Sequence, residues 1–254
     1  MKKVKNWDVC FEIGLNHLGS YTNILSIIQG SMIQNFSCSL SVQIREEGFY
    51  DDSKRYLALN FDVYVKLRKF CGSLGIPFGL ALGPLENLDW LTDLKLRPDF
   101  IKLIGIGTND LGFVKRLNEA FTCPKYYSVG LSEYGYIRAE IIPRMRDEDM
   151  LVHTALSHES LDQNLSEIRF LESLGKMTCF GQHASSPEVC FAAIGAGAKK
   201  IFAYIGDKDL ELPDKEHAIA ICDAISFYNQ CSNCFAAMKK IESGFKSAKI
   251  DFIG

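Results

Sequence analysis

Short runs of apolar, β-branched and aromatic residues recur along the chain at 9–15, 38–44, 76–82, 100–104, 125–129, 150–153, 176–180 and 200–205, flanked by Gly, Pro, Asp or Asn. Runs of this length and near-continuous apolarity predict buried parallel strands. Between them the apolar positions change to a helical period. Phe61, Val65, Leu67 and Leu74 are interleaved with Lys and Arg, and Leu161, Leu165, Ile168, Leu171 and Leu174 keep the period more cleanly. Ser186 followed by Pro187 predicts a helix start, with Ser as N-cap and Pro in the first turn. Eight strands, each followed by a helix, in 254 residues predict an α/β protein, a single-domain (β/α)8 TIM barrel. An open doubly wound sheet is the alternative. Its Gly-rich first turn is missing, because Gly14-Leu15-Asn16-His17-Leu18-Gly19 lacks GxGxxG. The barrel is placed at about residues 8–228, with a helical tail at about 229–254. The longest break after a strand, 46–60, reads as a lid loop or a small insertion.

Composition narrows the classes. Hydrophobic residues make up 47% and charged residues 23%, which allows a packed core and excludes a disordered chain. Lys+Arg is 28 against Asp+Glu 31, so nothing in the charge balance favours nucleic acid or an anionic membrane surface. The basic start, Lys2, Lys3 and Lys5, runs into Asp8 and Glu12 rather than an apolar signal segment, and no apolar run spans a membrane. Nine cysteines, mostly inside apolar stretches, fit free thiols in a reducing compartment, and the expected location is the cytoplasm. Cys231 and Cys234 form one CxxC without a second pair, so they read as helix residues rather than half a zinc site.

In a barrel, chemistry sits at the C-terminal ends of the strands. Standing there are Asn16 and His17, then Gln43 and Arg45, Lys102 with Thr108 and Asn109, Ser128, His153 with Ser157 and His158, and His183. Four of the five histidines thus fall at one rim, among glycines and hydroxyls suited to a phosphate or carboxylate. Glu12 lies inside an apolar strand, where a carboxylate is seldom buried without a partner. It either orients a ligand or pairs with an inward lysine such as Lys102.

The segment from Glu12 to Gly19 resembles the Glu-Ile-Gly-x-Asn-His-x-Gly opening of the sialic acid synthase (N-acetylneuraminate synthase) family. Residues 70–78, Phe100-Ile101-Lys102, Thr108-Asn109, 124–132, His183, Leu212-Pro213 and His217-Ala218 resemble later segments of that family in the same order. The resemblance runs from about residue 8 to about 220. It implies a barrel that condenses phosphoenolpyruvate with an open-chain N-acyl amino sugar to a nine-carbon 2-keto sugar acid, in surface carbohydrate biosynthesis. It further implies a divalent metal, manganese or magnesium, polarising the sugar aldehyde. His183 would be a metal ligand, and Glu12, Asn16 and His17 would stand near the reacting centre. Gln43, Arg45, Lys102, Thr108, Asn109, Ser128, Ser157 and Glu216 would hold substrate.

Three departures from the family bear on the reaction. Its strand-two lysine is Gln43, and Arg45, two residues on and on the same strand face, is placed to supply the charge. Its strand-eight metal histidine is Tyr204, and a neutral phenol is a poor ligand for a hard cation. Its C-terminal antifreeze-like domain, which reaches into a partner's site, does not fit in 229–254. The sugar side is therefore expected to be open, closed by the chain's own loops such as residues 46–60, or covered by a homodimer partner or another chain. The second hypothesis is a barrel that has lost this reaction and binds a related sugar or acid, or partners an active synthase.

Overall fold

The computed structural model describes residues 8–93 and 96–238. Residues 239–254 of the expected tail lie outside the described residues, and 224–238 form a helix. The strands are β1 (Val9–Gly14), β2 (Ser39–Ile44), β3 (Phe78–Leu82), β4 (Phe100–Leu103), β5 (Lys125–Ser128), β6 (Met150–His153), β7 (Thr178–Gly181) and β8 (Ile201–Gly206). Each pairs in parallel with the next, and β1 pairs in parallel with β8, which closes the expected barrel. A two-residue β9 (Ile219–Ala220) pairs in parallel with the C-terminal end of β8, at Ile205 and Gly206.

The closed barrel explains the apolar runs. One set of strand side chains packs outward against the helices in a single large core that includes Phe11, Leu40, Leu80, Leu103, Tyr127 and Ile205. The alternate set points inward. Its lower layer is an apolar plug of Cys10, Phe100, Tyr126, Val152, Cys179 and Phe202. Two residues further along the same strands, the side chains become Glu12, Lys102, Ser128, Thr154, Gly181 and Tyr204. A side-chain period of two puts these on the same inward face, so an apolar floor carries a polar upper layer.

Helix signals hold with two exceptions. Phe61–Leu74 is a helix that ends at Gly75 in the left-handed region, φ 70°. The leucine series from 161 does not form one helix. A 3-10 turn, Ser160–Gln163, is followed by Asn164 at φ 41°, and the helix is only Ser166–Ser173. Asn164 donates to Glu167 and accepts from the Ser166 hydroxyl, and these local bonds compete with the helical ones. Leu161 is accordingly 98% exposed. The helix after Pro187 begins one residue later than expected, at Glu188, with Pro187 rather than Ser186 as its N-cap.

Residues 46–60 hold two 3-10 turns, Glu47–Phe49 and Arg55–Leu57. They lie tightly on the β1 loop, since a Cβ on Gly19 would meet Tyr56 O at 2.0 Å. All nine cysteines are free, and Cys222 is exposed rather than inside the core. No described helix is long and apolar enough to cross a membrane.

Candidate active site at the barrel mouth

The upper layer opens into a cavity of about 460 Å³ at the C-terminal ends of the strands. Its wall includes Gln43, Arg45, Lys102, Ser128 and His183 from the expected set. Glu12 lies beneath, bonded to that wall: Lys102 Nζ donates to Glu12 Oε2 at 2.5 Å, and Ser41 Oγ donates to Glu12 Oε1 at 3.3 Å. Both members of this ion pair are nearly inaccessible, with side chains 4% and 2% exposed. Of the two readings of Glu12, the pairing with Lys102 is therefore the observed arrangement.

Other expected residues are held elsewhere. Asn16 bridges two chain segments, donating to Ile205 O at 3.1 Å and accepting from Asp214 N at 3.1 Å. His17 is fully buried, and its Nδ1 accepts from Gly19 N at 2.9 Å. Burial pushes this imidazole down to about 4. Thr108, in the short helix Gly105–Asn109 that follows β4, turns back toward that strand, with Oγ1 3.4 Å from Leu103 O. Asn109 ties the next loop by donating to Leu131 O and accepting from Ser132 Oγ. Ser157 caps an exposed turn through Asp162. Glu216 is exposed and meets the His158 ring. His153 anchors the β6 loop through Gln163 O at 2.7 Å.

Several wall residues were not among the expected site residues. Thr154 faces Ser128, whose Oγ donates to Thr154 Oγ1 at 3.2 Å. Phe49, from the 46–60 loop, lies under the Arg45 guanidinium at 4.2 Å, and Leu131, Leu156 and Asp214 also line the wall. His217, the histidine left out of the rim count, stacks on His183 with centroids 4.7 Å apart, and meets Tyr204 edge-on at 4.7 Å. His158 extends the column, 5.1 Å from His217. The family-like Leu212-Pro213 and His217-Ala218 were the available signal for this loop, and β9 pairing with β8 is what folds it back over the mouth.

Electrostatics follow from burial. His183 is pushed down to about 3 by desolvation and then by His217 and Lys102. His217 is pushed down to about 4, again chiefly by desolvation. Both are therefore neutral imidazoles at pH 7. Asp214 is pushed up to about 6 by burial, with the Glu12 charge adding to it. Burial also raises the Tyr204 phenol well above its ordinary range. Neither nitrogen of His217, nor Asp214 Oδ2, has a hydrogen-bond partner among the described residues. Arg45 donates from Nε and Nη2 to Glu46 at 3.1 and 2.9 Å. Each cationic side chain on the wall is thus paired with a carboxylate.

Gly14 sets the position of the column. Its φ is +58°, and a Cβ there would lie 2.5 Å from the Tyr204 ring and 2.8 Å from Asp214 Oδ2. Gly14→Ala should lower stability by about 1–3 kcal/mol through overpacking, read as a fall in the urea midpoint. An unchanged midpoint would mean that Tyr204 is free to move aside.

Among the described residues, no three His, Cys, Asp or Glu side chains are grouped to hold a metal ion. His183 has a stacked imidazole beside it, and a phenol stands where the resemblance has the second histidine.

No protein-family model and no curated protein matches the sequence. Solved structures do match in shape. The N-acetylneuraminic acid (sialic acid) synthetase from Leptospira borgpetersenii, in complex with citrate, superposes with TM-score 0.83 at 17% identity, covering 96% of this chain and 89% of that one. The spore coat polysaccharide biosynthesis protein spsE from Bacillus subtilis gives 0.75 at 19%, covering 91% and 68%. A truncated 3-deoxy-D-arabino-heptulosonate 7-phosphate synthase from Thermotoga maritima gives 0.69 at 10%, covering 91% and 87%. At these identities the likeness is one of fold: this chain is a (β/α)8 barrel similar in shape to a sialic acid synthetase and a spore coat polysaccharide protein.

Proposed function

We propose that the chain is a sugar-acid synthase-like enzyme that joins phosphoenolpyruvate to an N-acyl amino sugar aldehyde, giving a nine-carbon 2-keto sugar acid. The observation that carries this reading is the gathering of Gln43, Arg45, Lys102, Ser128 and His183 on one cavity wall at the barrel mouth. Lys102, with the Ser128 and Thr154 hydroxyls, supplies donors for a carboxylate at the floor. Arg45 reaches a phosphate once Glu46 releases it; both side chains are partly exposed, 22% and 28%, so this exchange is sterically open. Phe49, Leu131 and Leu156 give an apolar side for the acyl group. His183 and His217, neutral at working pH, are placed to accept or relay a proton as the aldehyde oxygen becomes a hydroxyl. The likeness in shape to a sialic acid synthetase supports the same class.

The test is phosphate release from phosphoenolpyruvate with a panel of N-acyl hexosamines, with and without manganese. Release that depends on sugar is the expected result, and its absence across the panel would overturn the reading. A manganese titration of wild type and His183→Ala tests the metal assignment: equal binding by both removes His183 from it.

The paired cations favour a second reading, in which the cavity binds a related sugar or acid without this reaction. With Lys102 on Glu12 and Arg45 on Glu46, the resting wall offers little net charge to a polyanion. Calorimetry separates the two: micromolar binding of phosphoenolpyruvate supports the synthase, and sugar binding without it supports the second reading.

A further inference from the structure

We infer that the cavity between the 46–60 loop and the helix Phe61–Leu74 binds a small quaternary ammonium ion of the choline type. This cavity is a second one, beside the barrel mouth, and its occupant is independent of the reaction proposed above. It measures about 180 Å³ and is walled by three parts of the chain. Tyr50 comes from the loop, Phe61 and Tyr64 from one face of the helix, and Trp90 from the short helix Asp89–Asp93. Trp90 stacks on Phe61 with centroids 4.0 Å apart and is tilted against Tyr64 at 6.0 Å. Phe61 is nonetheless 53% exposed, which leaves aromatic surface that folding alone does not use.

The charges at this cavity select the ligand. Arg45 borders it, but its guanidinium is held by Glu46. Glu47 and Glu86 line it from the loop and from the segment after β3. Among the described residues neither of these carboxylates has an ion-pair partner. Surplus negative charge thus stands beside four aromatic rings. The face of each ring is the negative side of its quadrupole, so rings and carboxylates attract a cation together.

The kind of cation follows from the acceptors. A primary ammonium brings three N–H donors that must all be satisfied once it leaves water. The Tyr50 hydroxyl is already engaged, accepting from Arg45 N at 3.2 Å. Glu47 and Glu86 are exposed and stand at the rim rather than inside. A quaternary ammonium has no N–H to satisfy and spreads its charge over methyl groups, which suits aromatic walls under an acidic rim. The same loop already holds cations of this chain in that way, with Arg45 and Lys54 over the Phe49 ring at 4.2 and 4.9 Å. Arg45 also lines the mouth, so the two cavities are neighbours across one side chain.

Tryptophan fluorescence tests the inference on the whole chain. The sequence has two tryptophans, and Trp7→Phe leaves Trp90 as the reporter. Choline chloride is titrated against sodium chloride of equal concentration, which removes the effect of ionic strength. A saturable change in Trp90 emission with choline alone is expected. The alcohol in which a carbon replaces the choline nitrogen should bind about tenfold more weakly, because it has the shape without the charge. Glu47→Gln/Glu86→Gln, both at exposed positions, should weaken choline by about fivefold or more and leave the alcohol unchanged. Calorimetry with the wild-type chain should give the same order of affinities. Equal binding of choline and the alcohol, or no saturable change with choline, would overturn the inference. Phosphatidylcholine vesicles are offered in parallel: choline binding without co-sedimentation is expected for a free ligand, and co-sedimentation that choline does not compete away would overturn it.

Discussion

Lys102→Met, with Glu12 left in place, should lower the unfolding free energy by about 3–5 kcal/mol, because a buried carboxylate loses its counter-charge. The size follows from position. The Glu12 side chain is 2% exposed, and its remaining donor is the Ser41 hydroxyl at 3.3 Å, so water cannot easily replace the ammonium. The double variant Lys102→Met/Glu12→Gln should recover most of that loss, since removing both charges also removes their desolvation cost. Urea unfolding of the two single variants and the double variant gives the coupling energy directly. A loss below about 1 kcal/mol for Lys102→Met would show that the pair is hydrated and behaves as a surface ion pair. Full recovery of stability in the double variant, with loss of function, would show that this charged layer is kept for chemistry rather than for folding.

The fold was legible because a barrel constrains its strands twice. Outward positions pack on helices and the lower inward positions fill the plug, so each strand reads as an apolar run, and all eight lie within two residues of expectation at either end. The polar upper layer was legible for the same reason. Phe100 to Lys102, Tyr126 to Ser128 and Val152 to Thr154 are each one step of two on the inward face. The loops after the strands are less determined. Asn16 and His17 come soon after Glu12, yet a bulge between Glu12 and Gly14 and the positive φ of Gly14 turn the chain. Asn16 then serves as a brace between β8 and the 214 loop, and His17 turns inward to Gly19. His217 and Asp214 lie beyond β8 in a loop without periodicity. Their place depends on the short β9 pairing, which no local pattern announces.

The three histidines whose imidazoles are held down by desolvation should make the protein acid-sensitive well above the usual carboxylate range. His17, His183 and His217 are held at about 4, 3 and 4 in the folded chain, against 6.5 when unfolded. Their folded values are lowered, so the unfolded chain binds more protons below 6.5, and stability falls as pH falls from there toward 4. Asp214 runs the other way. Its folded value is raised to about 6 from 3.8, so the folded chain takes up its proton first, and this group adds stability as pH falls from 6 toward 3.8. Three groups against one leaves a net loss. At about 1.4 kcal/mol per pH unit for each group, unfolding free energy should drop by on the order of 4 kcal/mol between pH 7 and pH 5. That is a large share of the roughly 5–15 kcal/mol that holds an ordinary domain together. Urea midpoints measured at half-unit steps across this range give the slope. His217→Gln should flatten it by about two fifths, since one of three titrating imidazoles is gone while Asp214 still opposes the other two. A midpoint that stays level from pH 7 to pH 5 would mean that solvent reaches these imidazoles and that the column over the cavity opens in solution.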